Sequence, residues 1–130
     1  TRLVVVAVLA LTAAGCGGSS GGGSAATTTA PSGATSGSTM LDATVGPGFE
    51  IALSRDGAPV SSLTPGTYTF TVDDRAASHD FHLTGPGVNV ATGVAFTGTK
   101  SFTVTLTAGD YHFQCDPHAS SMNGDFTVAA

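Results

Sequence analysis

The sequence predicts an all-β fold for residues 40–130, namely an antiparallel β-sandwich with Greek-key connections. Short runs of alternating apolar and polar residues recur between glycine and proline turns, as in strands that bury one face. No stretch keeps an apolar period of 3.6 residues long enough to form an amphipathic helix. Several short strands in a chain of single-domain length favour two packed sheets.

The first 15 residues are typical of an export signal and not of a folded element. An apolar run of nine residues, 3–11, follows Arg2, which is the length of a signal-peptide core and about half of a membrane span. The run ends in Thr-Ala-Ala-Gly before Cys16, and small residues before a cysteine resemble the lipobox of a bacterial lipoprotein. That resemblance implies a lipoprotein signal peptide over residues 1–15 and lipidation of Cys16. The alternative is an ordinary signal peptide in which Cys16 is incidental.

Residues 16–39 are predicted to be the lipidated cysteine and a flexible tether. After Cys16 they are Gly, Ser, Ala, Thr and Pro almost throughout, without a charge. Such a segment cannot bury enough apolar surface to offset its ordering entropy. We therefore expect a disordered linker that holds the domain of residues 40–130 at the outer face of the bacterial cell membrane.

The strands of this domain follow one another between turns that glycine, proline and aspartate mark. The predicted strands are residues 41–45, 49–54, 67–72, 101–106, 111–115 and a last one around 126–128. In the fifth strand, alternation points Tyr111, Phe113 and Cys115 to the core, and His112 and Gln114 to solvent.

A further strand is predicted to start near Ser78. Period-two alternation there puts His79 on the core face with Phe81 and Leu83, and points Asp80 and His82 to solvent. An imidazole on the core face needs a partner. A backbone carbonyl is one alternative for His79, and a metal ion is the other.

A thiol, an imidazole and a thioether lie within eight residues, at Cys115, His118 and Met122. Two imidazoles and a thiolate with a weak axial thioether are the ligands of an electron-transfer copper site, and His79 would supply the second imidazole. If Cys16 carries lipid, Cys115 has no disulfide partner, and a lone thiol in an exported protein needs a reason. Zinc also accepts Cys and His, but the divalent affinity order favours Cu(II).

These segments resemble the cupredoxin family, the small blue copper proteins that include plastocyanin, pseudoazurin, amicyanin and azurin. The resemblance covers about residues 40–128 and lies in His79-Asp80, in the run 111–118, and in Met122 with the Gly124 strand after it. It implies a cupredoxin-like sandwich and one copper ion, cycling between Cu(I) and Cu(II), with His79, Cys115, His118 and Met122 as ligands.

Two carboxylates depart from the family pattern. Asp80 stands where the family has Asn, and Asp116 stands where it has Ser or Thr; the gap of three residues between His118 and Met122 is also intermediate for the family. Two ionised carboxylates in contact would repel. We therefore expect that one of them is solvated or that the hydrogen bonds around the ligands differ from the family's.

The ligand pattern, the export signal and the family resemblance together favour a membrane-tethered, type 1 (blue) copper protein that carries single electrons between redox partner proteins outside the cytoplasm. Electrons would leave through the exposed edge of His118, beside either the turn 46–48 or the turn 85–87. The alternatives are an extracytoplasmic copper-binding or delivery protein that uses the same site, and a metal-free interaction domain.

Charge and size exclude other classes. The formal net charge of −5 argues against a nucleic-acid-binding protein, which would carry a basic patch. Beyond the copper ligands there is no nucleophile–base pair, and a small sandwich leaves little room for a substrate pocket. We therefore expect no enzyme activity, and a monomer.

Overall fold

The fold of residues 39–130 is described by a computed structural model. The predictions for the signal peptide over residues 1–15, for Cys16 and for the tether up to residue 38 lie outside the described residues. Residues 39–130 form ten strands and a single turn of 3-10 helix, without an α-helix. Within this range no helix is long and apolar enough to cross a membrane.

The strands occupy two sheets of five. In chain order they are β1 (Met40–Val45), β2 (Ile51–Arg55), β3 (Ala58–Pro59), β4 (Ser62–Leu63), β5 (Gly66–Asp74), β6 (His82–Gly85), β7 (Val88–Ala91), β8 (Gly98–Leu106), β9 (Gly109–Gln114) and β10 (Asn123–Val128). The first sheet has the order β3-β2-β1-β5-β8 and the second the order β4-β10-β9-β6-β7.

The predicted all-β sandwich is confirmed, with one parallel pair in each sheet. β1 runs parallel to β5 in the first sheet, and β4 runs parallel to β10 in the second, while the other pairs are antiparallel. Between β1–β3 and β5 of the first sheet, the chain passes through the second sheet at β4.

The core lies between the sheets and follows the period-two alternation. In β5 the side chains of Tyr68, Phe70 and Val72 are buried, and the threonines between them are more exposed. Burying one such large side chain contributes about 1.5–3 kcal/mol. On β10, Gly124 faces the Phe113 ring so closely that a Cβ there would collide with it. This contact lets the last strand pack directly on β9, the strand that leads to Cys115.

Two predicted strands begin later than expected, and both differences lie beside the candidate site. The second strand begins at Ile51, and Phe49 stays outside it with 68% of its surface exposed. The strand predicted from residue 78 begins at His82, so residues 78–81 have no regular structure.

Candidate metal centre

Cys115 is delivered to the interior by the alternation of β9. Tyr111 and Phe113 point into the core, and Cys115, directly after the strand, is fully buried, as predicted. The backbone N–H of Cys115 donates to the carbonyl oxygen of Met122 at 2.9 Å. The thiol is therefore held between the end of a strand and the far end of the following loop.

His118 ends a single turn of 3-10 helix, Asp116–His118, with Pro117 in its first turn. Proline suits the start of a helical turn because its φ is already set and its missing N–H would have had no partner there. The His118 N–H donates to the Cys115 carbonyl at 3.0 Å, and the Met122 N–H donates to the His118 carbonyl at 2.8 Å. These two bonds fold the imidazole back towards the thiol, while its outer edge stays partly exposed.

His79 arrives from the opposite side, on the irregular segment before β6. Its N–H donates to the Ala76 carbonyl at 3.1 Å, and only 3% of the residue is exposed. The ring lies against Gly46, where a Cβ would be 3.1 Å from its Cδ2 atom. Gly46 also has φ +69°, a conformation that glycine adopts without strain. The first turn of the domain therefore leaves the space that the His79 ring occupies.

The three ligand atoms converge on one point. The Nδ1 atoms of His79 and His118 are 3.1 Å apart, and the Cys115 Sγ atom lies 3.6 Å from the first and 3.5 Å from the second. A point equidistant from all three lies about 2.0 Å from each, close to a metal–nitrogen bond length and somewhat short for a metal–sulfur bond. Among residues 39–130 this is the group of histidine, cysteine and acidic side chains that can hold a metal ion.

The donor set of two imidazoles and one thiol would fit copper or zinc. Two imidazole nitrogens and one thiolate suit copper in both of its common oxidation states and also suit zinc. Burial raises the pKa of the Cys115 thiol, against the effect of the backbone hydrogen bonds that the sulfur receives. A bound metal would therefore displace a proton from Cys115, because the ligand is the thiolate.

The prediction that Asp80 points to solvent is wrong. Asp80 is 1% exposed, and its Oδ1 atom accepts a hydrogen bond from the Asp116 N–H at 2.7 Å. The prediction failed because alternation applies within a strand, and residues 78–81 precede β6. Burial raises the pKa of Asp80, and the bond from Asp116 acts against that rise. Asp80 thus joins the segment of His79 to the segment of Cys115.

Asp116 is the solvated carboxylate of the two. Its side chain is 44% exposed and accepts hydrogen bonds from His82 Nδ1 at 2.9 Å and from Gln114 Nε2 at 2.9 Å. Of the two expected alternatives the first therefore holds, since Asp116 is exposed to solvent and Asp80 is not. His82, predicted to face solvent together with Asp80, is partly exposed and is bonded through Nδ1 to Asp116 and through Nε2 to Asn89.

Met122 is fully buried, and its backbone closes the loop on Cys115 and His118. Its role as the axial ligand stays a prediction.

Phe49 belongs to the site and was missed by the sequence analysis. Its ring meets both imidazoles edge to face, with centroid distances of 4.8 Å to His118 and 5.8 Å to His79. The only signal in the sequence was a large apolar residue directly after the turn 46–48. The turn 46–48 lies beside His79. The turn 85–87 lies at the end of β9 away from Cys115, where the Pro86 carbonyl accepts a hydrogen bond from the Tyr111 hydroxyl. Of the two turns named in the sequence analysis, the turn 46–48 is therefore the one at the site.

Comparison with known proteins finds its matches among solved structures. No model of a known protein family matches the sequence, and no curated protein matches it. Reduced rusticyanin is 24% identical over 68% of this chain and 77% of its own, with a TM-score of 0.53; its NMR structure is 26% identical over 68% and 75%, with a TM-score of 0.50. Auracyanin reduced with sodium dithionite, from the photosynthetic bacterium Roseiflexus castenholzii, is 21% identical over 72% of this chain and 99% of its own, with a TM-score of 0.53.

Proposed function

Given that the chain has the cupredoxin fold and gathers two imidazoles and a thiol at one point, we propose that it is a type 1 (blue) copper protein that carries single electrons. The observation that carries the proposal is the convergence of His79, Cys115 and His118 from two separate segments. A likeness to rusticyanin, described as a copper protein, supports the choice of copper over zinc.

Copper, when bound, would supply the one-electron couple, and the residues around it would keep the geometry constant between its two oxidation states. Such a site works best when few atoms move, because Cu(II) and Cu(I) prefer different coordination. Cys115 and His118 are tied to each other by backbone hydrogen bonds, and His79 is wedged against Gly46. The buried Cys115 and Met122 side chains keep water away from the inner side.

We further propose that electrons enter and leave at the surface formed by His118 and Phe49. Of the three converging side chains, His118 is partly exposed, whereas His79 and Cys115 are buried, and Phe49, a residue that is 68% exposed, lies against the His118 ring. An apolar surface with small neighbours in the turn 46–48 would let a redox partner protein approach closely.

The membrane location remains part of this proposal. Lipidation at Cys16 would hold the protein at the outer face of the bacterial cell membrane. The segment up to residue 39 would let the domain reach partners on the order of 25 Å away as a random coil. The support for it is the sequence before residue 39.

The test is the visible and electron-spin-resonance spectrum of the copper-loaded protein. We expect an intense sulfur-to-copper band that disappears in Cys115→Ser, because the band needs the thiolate. The matched control is Cys16→Ser, which replaces the other cysteine of the chain and should keep the band. A colourless protein with bound copper would overturn the proposal. Rapid transfer of the copper to an acceptor protein, before repeated redox cycles, would favour copper delivery instead.

A further inference from the structure

Four polar side chains are buried within residues 39–130: Asp74, His79, Asp80 and Thr92. His79 and Asp80 are accounted for by the metal centre. Asp74 is 1% exposed and Thr92 is 7% exposed, and neither belongs to the ligand set. Burying a carboxylate is costly unless it is well hydrogen-bonded. Asp74 and Thr92 therefore call for an explanation of their own.

Asp74 ends β5 and holds two segments with its two oxygen atoms. Its Oδ1 atom accepts from the Ala76 N–H at 3.3 Å, and its Oδ2 atom accepts from the Thr92 hydroxyl at 3.3 Å. Burial raises the pKa of Asp74, and these two hydrogen bonds act against the rise. The carboxylate thus connects the start of the His79 segment to the end of β7.

Thr92 is hydrogen-bonded to both backbone polar groups of Phe81, the N–H and the carbonyl. The Thr92 hydroxyl oxygen accepts from the Phe81 N–H at 2.9 Å, and the Thr92 N–H donates to the Phe81 carbonyl at 3.0 Å. Phe81 is fully buried. Without the Thr92 hydroxyl, the Phe81 N–H would lose its hydrogen-bond acceptor.

His79 lies between these two points of attachment. Ala76 is fastened by Asp74 and accepts the N–H of His79, and Phe81, two residues after His79, is fastened by Thr92. Residues 78–81 lie outside the strands, so their position depends on individual hydrogen bonds such as these. We propose that Asp74 and Thr92 are positioning residues, which set where the His79 ring stands relative to Cys115 and His118. This inference rests on the proposed function.

The test compares Thr92→Val, which has the same shape without the hydroxyl, with Thr92→Ser, which keeps it. In the copper-loaded protein we expect Thr92→Val to change the visible spectrum and the reduction potential and to lose copper to a chelator about tenfold faster, as for changes in residues that orient a ligand. Thr92→Ser should resemble the wild type. In the metal-free protein, amide hydrogen exchange at Phe81 should be faster in Thr92→Val alone.

Tyr111→Phe is the control for general loss of stability. It removes hydroxyl bonds to Thr107 and Pro86, and it should lower the unfolding temperature without changing the spectrum. The inference is overturned if Thr92→Val loses stability as Tyr111→Phe does but keeps the wild-type spectrum, potential and rate of copper loss.

If Thr92→Val does not fold, Asp74→Asn decides the question with the same measurements. We expect about threefold faster copper loss, since the amide can keep one of the two bonds; an unchanged rate and spectrum would overturn the inference. A colourless wild type would overturn the proposed function and this inference together. A blue wild type with unchanged Thr92→Val and Asp74→Asn would overturn this inference alone.

Discussion

The two segments that bring ligand residues together are held in opposite ways. The loop from Cys115 to Met122 closes on itself through backbone hydrogen bonds between residues three to seven apart in sequence. The segment around His79 has one local bond of this kind, from the His79 N–H to the Ala76 carbonyl, but it is also held by groups far away in the chain. Asp80 bonds the N–H of a residue 36 positions away, Thr92 holds Phe81, and Gly46 makes room for the ring.

This difference shows that the Cys115 half of the site depends more on its own sequence, and the His79 half more on the completed fold. The two imidazoles also differ in access. His79 is 3% exposed, whereas the outer edge of His118 is partly exposed and is covered by Phe49. This contrast can be tested with variants whose expected effects range from loss of the blue band to small changes in the free energy of unfolding.

The largest effect is expected from removing either imidazole. His79→Gly and His118→Gly should both lose the blue band, because each leaves two ligands of the trigonal set. Added imidazole should restore the band in His118→Gly, since the vacated position opens to solvent, and should restore it far less in His79→Gly. Visible titration with imidazole measures this, with Cys115→Ser as the variant that imidazole should not restore. Equal rescue of both histidine variants would contradict the difference in access.

A smaller effect is expected where the two segments are joined. Asp80→Ala leaves the Asp116 N–H without its acceptor, and it should lower the free energy of unfolding of the metal-free protein by about 1–3 kcal/mol. Asp80→Asn keeps a carbonyl oxygen at that position, so it should cost less than half as much. Denaturant unfolding measures both changes. If Asp80→Ala were as stable as the wild type, the bond would not join the segments.

The same contrast explains what could be predicted from the sequence. Alternation correctly predicted the buried faces of residues 67–72 and 111–115, because both runs lie in strands or directly after one. It failed at Asp80, since the segment before β6 is irregular. Phe49 could not be placed because its contacts with His79 and His118 depend on three segments far apart in the chain.

Of the candidate ligands, His79, Cys115 and His118 meet as their residue types and the family resemblance indicated. Asp74 and Thr92 carried no recognisable motif. Their hydrogen bonds connect β5, β7 and the His79 segment, which only the folded chain brings together.

The smallest effect is expected at the exposed ion pair of His82 and Asp116, beside the bond from the Asp116 N–H to Asp80. Burial alone would lower the pKa of His82, but its bonds to Asp116 and Asn89 raise it above the ordinary 6.5. The bond from Gln114, and next the bond from His82, lower the pKa of Asp116 below its ordinary 3.8 despite some burial. The contribution of His82 to the free energy of unfolding is therefore complete below pH 6.5, and it is lost as the pH rises through the pKa that His82 has in the folded protein. That of Asp116 is complete above pH 3.8 and is lost as the pH falls through its folded pKa.

The pair should therefore stabilise the protein most between these two ordinary values. His82→Gln should lower the free energy of unfolding of the metal-free protein by less than about 1 kcal/mol near pH 5, because solvent screens a pair whose acid is 44% exposed. The difference from the wild type should shrink towards zero at alkaline pH, as neutral imidazole and glutamine become alike in charge. His112→Gln is the comparison variant, since His112 pairs with Asp125 and is linked to Asp116 through Gln114 and not directly. A His82→Gln deficit that grew as the pH rose would show that the stabilising form of His82 is the neutral one.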